Sequence, residues 1–255
     1  GILNGTTNFI MTKMIMERTD FSSALALAQK LGYAEKDPTA DVEGLDACRK
    51  ICILASLAFG NHVYPEKVHT EGITKITLAD VEFAERFGCV IKLIAQAKKL
   101  NNGKIYIIVS PALVRRESML AGVNDVFNAC LVRGDMTGDI LLYGKGAGSS
   151  ATASAVVGDI IDCADNMDKR KFFGWKEEKE NEVEPYLDVP VSLFVRVKKT
   201  DKAKETAEKL FSCEKTEESA DELAFITKEE PEGRLREKLS ASGLEVLSSI
   251  RVTAY

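Results

Sequence analysis

The stretch from Gly103 to Gly148 constrains the fold most: three strand-forming segments follow one another there, with helical periodicity on either side. "GKIYIIVSPALV" is rich in β-branched residues and reads as a strand. "DVFNACLVRGD" and "GDILLYGKGAG" read as two more. Upstream, "DFSSALALAQKL" over residues 20–31 sets Phe21, Ala24, Leu25, Ala28 and Leu31 at helical spacing, with Asp20 as N-cap and Gly32 as the stop. A second helix is expected from about Glu43 to Phe59, ended by Gly60. It is apolar on most sides after its second turn, which implies burial. "LADVEFAERFGCVIKLIAQAKKL" predicts a third amphipathic helix. After the strands, "SATASAVVGDIIDCA" predicts a helix that opens with small residues. Helices beside a strand cluster predict an α+β fold, with helices packed on a mixed β-sheet, rather than strict β-α-β alternation.

From Asp168 to Glu184 the composition changes: "DKRKFFGWKEEKENEVE" carries eleven charges in seventeen residues and reads as a solvated linker. Beyond it come "VSLFVRVKK", "AKETAEKLFS", "ELAFITKEE", "EGRLREKLSASG" and "LEVLSSIRVTAY". With "CEKTEESAD" as a short, poor strand, the order is β-α-β-β-α-β, the ferredoxin-like pattern. The expected division is a domain over 1–167, a linker over 168–186 and a small domain over 187–255. The chain opens "GILNGTTNFI", apolar at once and without Met, so it reads as starting inside a longer protein; the alternating pattern up to Tyr255 reads as a natural end.

A net charge of −5 argues against a nucleic-acid binder. No run approaches the ~18 apolar residues of a membrane span. The six cysteines are scattered without a C-x-x-C pair. Several lie in apolar runs, where cysteine acts as a small hydrophobe. The reading is a reducing, cytoplasmic compartment with no structural disulfide and no metal.

Charge concentrates in "GYAEKDPTADVEGLDACRK", Gly32 to Lys50, where five of eight charged side chains are acids (Glu35, Asp37, Asp41, Glu43, Asp46) and an apolar run follows directly. Asp46 and Lys50 are four residues apart and share one helix face. The plain reading is an exposed ion pair worth a few tenths of a kcal/mol. The alternative is a site. Glu43, Asp46, Lys50, Ile53 and Leu57 form one stripe whose lower half is apolar, so Lys50 is expected where the helix enters the core. A lysine with a carboxylate beside it can pass a proton to or from a hydroxyl. "GKGAGSSA" is the second candidate. Gly146-x-Gly148-x-x-Ala151 matches the dinucleotide-loop pattern after a strand and before a helix. No acid-ended strand follows, so a glycine loop approaching an anionic or flat ligand is expected rather than a whole nucleotide-binding unit. "NGTTN" reads as a cap or turn, and the loop residues His62 and His69 read as surface side chains.

Taken together, "GILNGTTNFI", "AQKLGYAEKDPTADVEGLDACRKICILASLAFG" and "YGKGAG…TASAVVGDI" resemble homoserine dehydrogenase over roughly residues 1–165. The resemblance implies oxidation of homoserine to aspartate semialdehyde, or the reverse, with NAD or NADP, on the route to threonine, methionine and isoleucine. It implies that Lys50 donates the proton and that Asp46 is its partner on the reacting oxygen. Glu35, with the backbone near Tyr33, would bind the substrate ammonium, and Asp41 would support that acidic wall. Gly148 would meet the nicotinamide side of the cofactor, while Asn4, Gly5 and Thr6 would border substrate and cofactor. The family's dinucleotide-binding domain is missing from these residues, so the chain alone is expected to bind cofactor weakly and not to turn over. The tail resembles an ACT domain, a module that often binds an amino acid, although the usual glycine turn after its first strand is replaced by "KKTDKAK". A homodimer is expected by default. Two other readings stay open: a regulatory or dimerisation module without catalysis, and a nucleotide binder using "GKGAGS" alone.

Overall fold

Helix α1 (Gly5–Glu17) starts where Asn4 offers its side-chain oxygen to the Thr7 N–H, 2.8 Å away. The structure, a computed structural model, describes residues 1–169, 174–177, 182–213 and 215–253. Helix α2 (Phe21–Lys30) is capped by Asp20, as its sequence predicts. A single turn, α3 (Thr39–Val42), is separated from α4 (Leu45–Phe59) by Gly44, whose φ of 79° favours glycine. The second helix therefore begins at Leu45 rather than Glu43, and it ends at left-handed Gly60 as expected.

The burial expected of α4 holds for one face only. Ala47, Cys48, Ile51, Cys52, Ala55 and Ser56 face the core. Ile53 and Leu57 are 54% and 45% exposed. The lower half of the stripe that carries Lys50 is thus exposed, which corrects the expectation that this half enters the core.

Strand β1 (His69–Thr70) precedes α5 (Leu78–Arg86), which opens with a reciprocal capping box between Thr77 and Asp80. The third predicted helix is half right. It stops at Arg86 because Gly88 turns left-handed, and the following "CVIKLIAQAKK" is strand β2 (Cys89–Lys99). All eleven of its residues pair antiparallel with β3 (Ile105–Arg115), an arrangement an isolated apolar run cannot reveal. The hairpin β4 (Phe127–Gly134) and β5 (Gly138–Lys145) follows as predicted, then α6 (Ser149–Asp165).

The remainder gives β6 (Pro190–Lys198), α7 (Ala203–Phe211), β7 (Thr216–Glu218), β8 (Glu222–Ile226), a two-residue β9 (Glu230–Pro231), α8 (Glu232–Ala241) and β10 (Val246–Val252). Apart from β9, this is the expected β-α-β-β-α-β order, and its strands lie side by side as β10-β6-β8-β7. Strand β10 also pairs parallel with β3, Arg251 facing Ala112, so one mixed sheet runs through both halves. Phe194 of β6 joins the core built by α1, α4, α5, β2 and β3, while its neighbours Leu193 and Val195 join a second core under α7 and α8.

The described parts of the charged segment are held by backbone bonds. His62 N–H donates to Lys176 O, and Ile105 exchanges bonds with Glu182 and Glu184. The rest of the predicted linker, 170–173 and 178–181, lies outside the described residues, as do Glu214 of the weak strand and Tyr255. Among the described residues no helix is long and apolar enough to cross a membrane. Helix α6 buries none of its side chains, and Val156, Val157, Ile160 and Ile161 are all more than half exposed.

Candidate active site

The start of α1, the α3–α4 corner and the first turns of α4 converge on Asn4. Its oxygen caps α1, which turns its amide nitrogen toward two acids: Asp41 Oδ1 at 2.7 Å and Asp46 Oδ2 at 2.9 Å. Asn4 is buried, so these bonds are shielded from water. Lys50, one turn along α4 from Asp46, donates to the same Asp46 oxygen at 2.6 Å and to the Leu3 carbonyl at 3.2 Å. An ammonium has three N–H groups, so one direction of Lys50 stays available for a ligand oxygen. Its side chain is 47% exposed, so solvent or a ligand reaches it.

Thr6 Oγ1 donates to the Tyr33 carbonyl at 2.7 Å, and the Tyr33 ring lies edge-on to Phe9. These contacts fix the loop after α2 against α1. Glu35 follows in that loop; its carbonyl accepts from Gln29 and its side chain is exposed. Asp37 and Glu43 have local partners: Asp37 accepts from Thr39, and Glu43 accepts from Thr74.

The glycine loop reaches this place from the other side. Gly146 lies so close to Asn128 of β4 that a Cβ there would be 2.2 Å from Asn128 Nδ2. Asn128 in turn donates to the Leu3 carbonyl at 3.4 Å, the acceptor that also serves Lys50. A Cβ on Gly5 would lie 2.9 Å from the Val126 carbonyl. Gly148 is exposed with a φ of 117°, and a Cβ there would meet nothing within 4 Å. The structure therefore brings Asn4, Gly5, Asp41, Asp46 and Lys50 together and joins Thr6 to Tyr33. Glu35 and Gly148 are exposed and are not joined to this group. A cavity of about 880 Å³ between Cys48, Arg49, His69 and Tyr186 contains none of these residues.

The model of the homoserine dehydrogenase family matches residues 1–161. This chain belongs to the homoserine dehydrogenase family. The homoserine dehydrogenase of a Synechocystis strain is 51% identical over 165 residues, 63% of this chain and 38% of that protein. A homoserine dehydrogenase structure from Thiobacillus denitrificans superposes with a TM-score of 0.88 at 32% identity, covering 98% of this chain and 62% of that one. A hyperthermophilic archaeal homoserine dehydrogenase mutant in complex with NADPH gives a TM-score of 0.53 at 33% identity, over 64% of this chain and 46% of that one. The chain thus spans 38% of the length of the Synechocystis homoserine dehydrogenase and of its Bacillus subtilis counterpart.

Two groups at this candidate site carry no clear mark in the sequence reading. The Leu3 carbonyl is a main-chain group and carries no residue signal. Asn128 had one: an asparagine inside "VFNACLV" is unusual for a strand and marks a side chain with a separate task.

Proposed function

We propose that this chain supplies the substrate-binding and proton-transferring groups of an NAD(P)-dependent homoserine dehydrogenase, which interconverts L-homoserine and L-aspartate 4-semialdehyde in threonine, methionine and isoleucine synthesis. The observation that carries the reading is the Lys50 ammonium, held by Asp46 and the Leu3 carbonyl with one N–H direction unused, in a network that Asn4 extends to the acid Asp41. Homoserine offers an ammonium, a carboxylate and a hydroxyl. Glu35 and Asp41, with the Tyr33 carbonyl that Thr6 holds, attract the ammonium. Lys50 meets the reacting oxygen. In reduction it stabilises the growing negative charge and delivers the proton; in oxidation the neutral amine takes that proton back. Asp46 keeps Lys50 in place, and Asn4 keeps Asp46 in place.

We assign the nicotinamide side of the cofactor to the glycine loop, since Gly148 leaves open space where a side chain would stand and Gly146 packs on Asn128, which bonds the Leu3 carbonyl beside Lys50. That cofactor supplies hydride exchange; NADPH is the cofactor in the archaeal relative's complex. The remaining cofactor contacts are assigned to sequence beyond these residues. Alone, the chain binds NAD(P) weakly and does not turn over, and normal dehydrogenase rates from it would sink that statement. The decisive assay is homoserine oxidation by the protein extended to its relatives' full length, with and without Lys50→Ala.

The division into 1–167, a linker over 168–186 and an ACT-like domain over 187–255 belongs to the same proposal, supported by the two separate cores. Calorimetric titration with threonine and other amino acids tests for an effector on the ACT-like part, and the regulatory role requires heat of binding. A symmetric homodimer would cover exposed apolar side chains such as Leu142 and Tyr143, and sedimentation equilibrium decides it. A cytoplasmic location agrees with Cys48, Cys52 and Cys89 lying in the core as reduced thiols.

A further inference from the structure

Lys92 is among the largest fully buried side chains, at the middle of β2, where a leucine or methionine would fill the space without burying a charge. Its ammonium uses all three N–H directions: the Val123 carbonyl at 2.6 Å, Asn8 Oδ1 at 3.1 Å and Asn124 Oδ1 at 3.1 Å. No carboxylate lies within ion-pair distance among the described residues. Burying an ammonium among neutral oxygens is costly, and it is tolerated only when every N–H is satisfied.

The groups around Lys92 are themselves tied to one another. Asn8, also buried, gives its amide nitrogen to the carbonyls of Val123, Asp125 and Phe127 at 3.0–3.1 Å. Thr12, one turn further along α1, accepts from the Asp125 N–H at 2.9 Å. The ammonium and two α1 side chains thus wrap the loop that leads into β4. Asn4 lies one helical turn before Asn8, and Asn128 directly follows Phe127. Each end of this clamp therefore stops one step from an amide of the candidate site: Asn128 donates to the Leu3 carbonyl, and Asn4 is the next residue after Leu3.

We propose that Lys92 is a positioning residue: through Asn8 and the Val123–Phe127 carbonyls it fixes the separation of Asn4 from Asn128, and with it the Leu3 carbonyl that holds Lys50. This deepens the reading of the site given above and rests on it for the identity of the ligand, but not for the geometry. Lys92 touches no substrate; it acts through Asn8 and the loop. A polar clamp suits this task better than an apolar side chain, because directed bonds fix the loop carbonyls at set distances while packing lets them slide.

The test follows the side-chain amide signals of Asn4 and Asn128 in the ¹⁵N-labelled chain. Lys92→Met, of similar length and uncharged, should move both signals and weaken homoserine binding by about tenfold, the scale of one lost bond. Asn124→Ala removes one acceptor at the edge of the clamp and should move them less; it also carries the test if Lys92→Met does not fold. Lys209→Met, exposed on α7 and away from the clamp, should leave both in place. Unmoved Asn4 and Asn128 signals in the folded clamp variants would overturn the proposal, whatever happens to thermal stability. Wild-type chain that fails to bind homoserine would overturn the substrate reading alone, since the amide signals decide the positioning without a ligand.

Discussion

Asn4 and Lys50 donate to the same oxygen of Asp46, at 2.9 and 2.6 Å. An isolated surface pair at i,i+4 would contribute only about 0.3–0.5 kcal/mol. The shared acceptor changes what the pair does, because a buried amide fixes the carboxylate and the carboxylate fixes the lysine. In the full-length enzyme, Lys50→Ala should lower turnover by at least about 10²-fold, a typical acid–base contribution. The urea midpoint of the same variant should hardly move. A large loss of stability with normal turnover would return the pair to an ordinary surface contact.

Asn4 has two separable jobs, and two substitutions separate them. Asn4→Ser keeps an oxygen for the Thr7 N–H and loses the amide bonds to Asp41 and Asp46. Asn4→Ala loses both and should cost about 1 kcal/mol more in denaturant unfolding, the usual value of a helix cap. Both variants should weaken homoserine binding to a similar degree. Binding retained by Asn4→Ser would show that the acids need no amide to hold them.

Gly146 is glycine because of Asn128. A Cβ 2.2 Å from the Asn128 nitrogen cannot be tolerated without displacing that side chain. Gly146→Ala should therefore destabilise by about 1–3 kcal/mol, as overpacking does. Adding Asn128→Ala should recover part of the loss, since the clash disappears with the amide. Thermal melts of the two single variants and the double variant measure this coupling. Strict additivity would mean that the two residues do not touch.

Much of this was legible in the residues, and the exceptions have physical reasons. Asp20, Gly32 and Gly60 announced helix ends because caps are local. The run after Gly88 reads as helix in the sequence because "CVIKLIAQ" fits either period, and only pairing with β3 decides it. The stripe through Ile53 and Leu57 looked like core because an apolar face says that something covers it, not what does. Asp46 and Lys50 stood out through spacing, whereas the Leu3 carbonyl that joins Lys50 to Asn128 has no side chain to read.

A second network links β1 to the C-terminal elements. Arg251 bonds Glu232 at 2.6 and 2.7 Å and Glu71 at 2.9 and 3.0 Å, and His69 lies 2.6 Å from Glu71. Glu232 is fully buried and also pairs with Arg236 at 2.6 Å, so Arg251→Met removes two of its bonds but not its last partner and should cost about 1–3 kcal/mol. Burial alone would raise the Glu71 carboxyl, but the bonds from His69 and Arg251 outweigh it and bring it down to about 2. A lowered carboxylate stabilises the fold above its ordinary value of 4.5, and that gain is lost as pH falls toward about 2. Glu71→Gln should therefore flatten part of the acid limb of stability, seen in denaturation series at falling pH. An unchanged acid limb would assign acid unfolding to other carboxylates.

Lys92 gives a dependence of the same sign at the other end of the scale, from the opposite cause: burial penalises its charge, whereas ion pairing favours that of Glu71. Burial brings its ammonium down from the ordinary 10.5 to about 8, with Asp125 opposing the change weakly from a distance. Below about pH 8 the lysine is protonated whether the chain is folded or not, so its contribution is constant. Between about 8 and 10.5 the unfolded chain holds a proton that the folded chain releases, and stability from this group rises with pH. The full span corresponds to about 3 kcal/mol at about 1.4 kcal/mol per pH unit. Guanidinium unfolding of wild type and Lys92→Met at rising pH isolates it, because every other titrating group is common to both. The difference between them should tilt toward the wild type as pH climbs past about 8. A difference that stays flat would mean that the buried ammonium keeps its ordinary hold on the proton, and that the oxygens of Asn8, Val123 and Asn124 offset the loss of water completely.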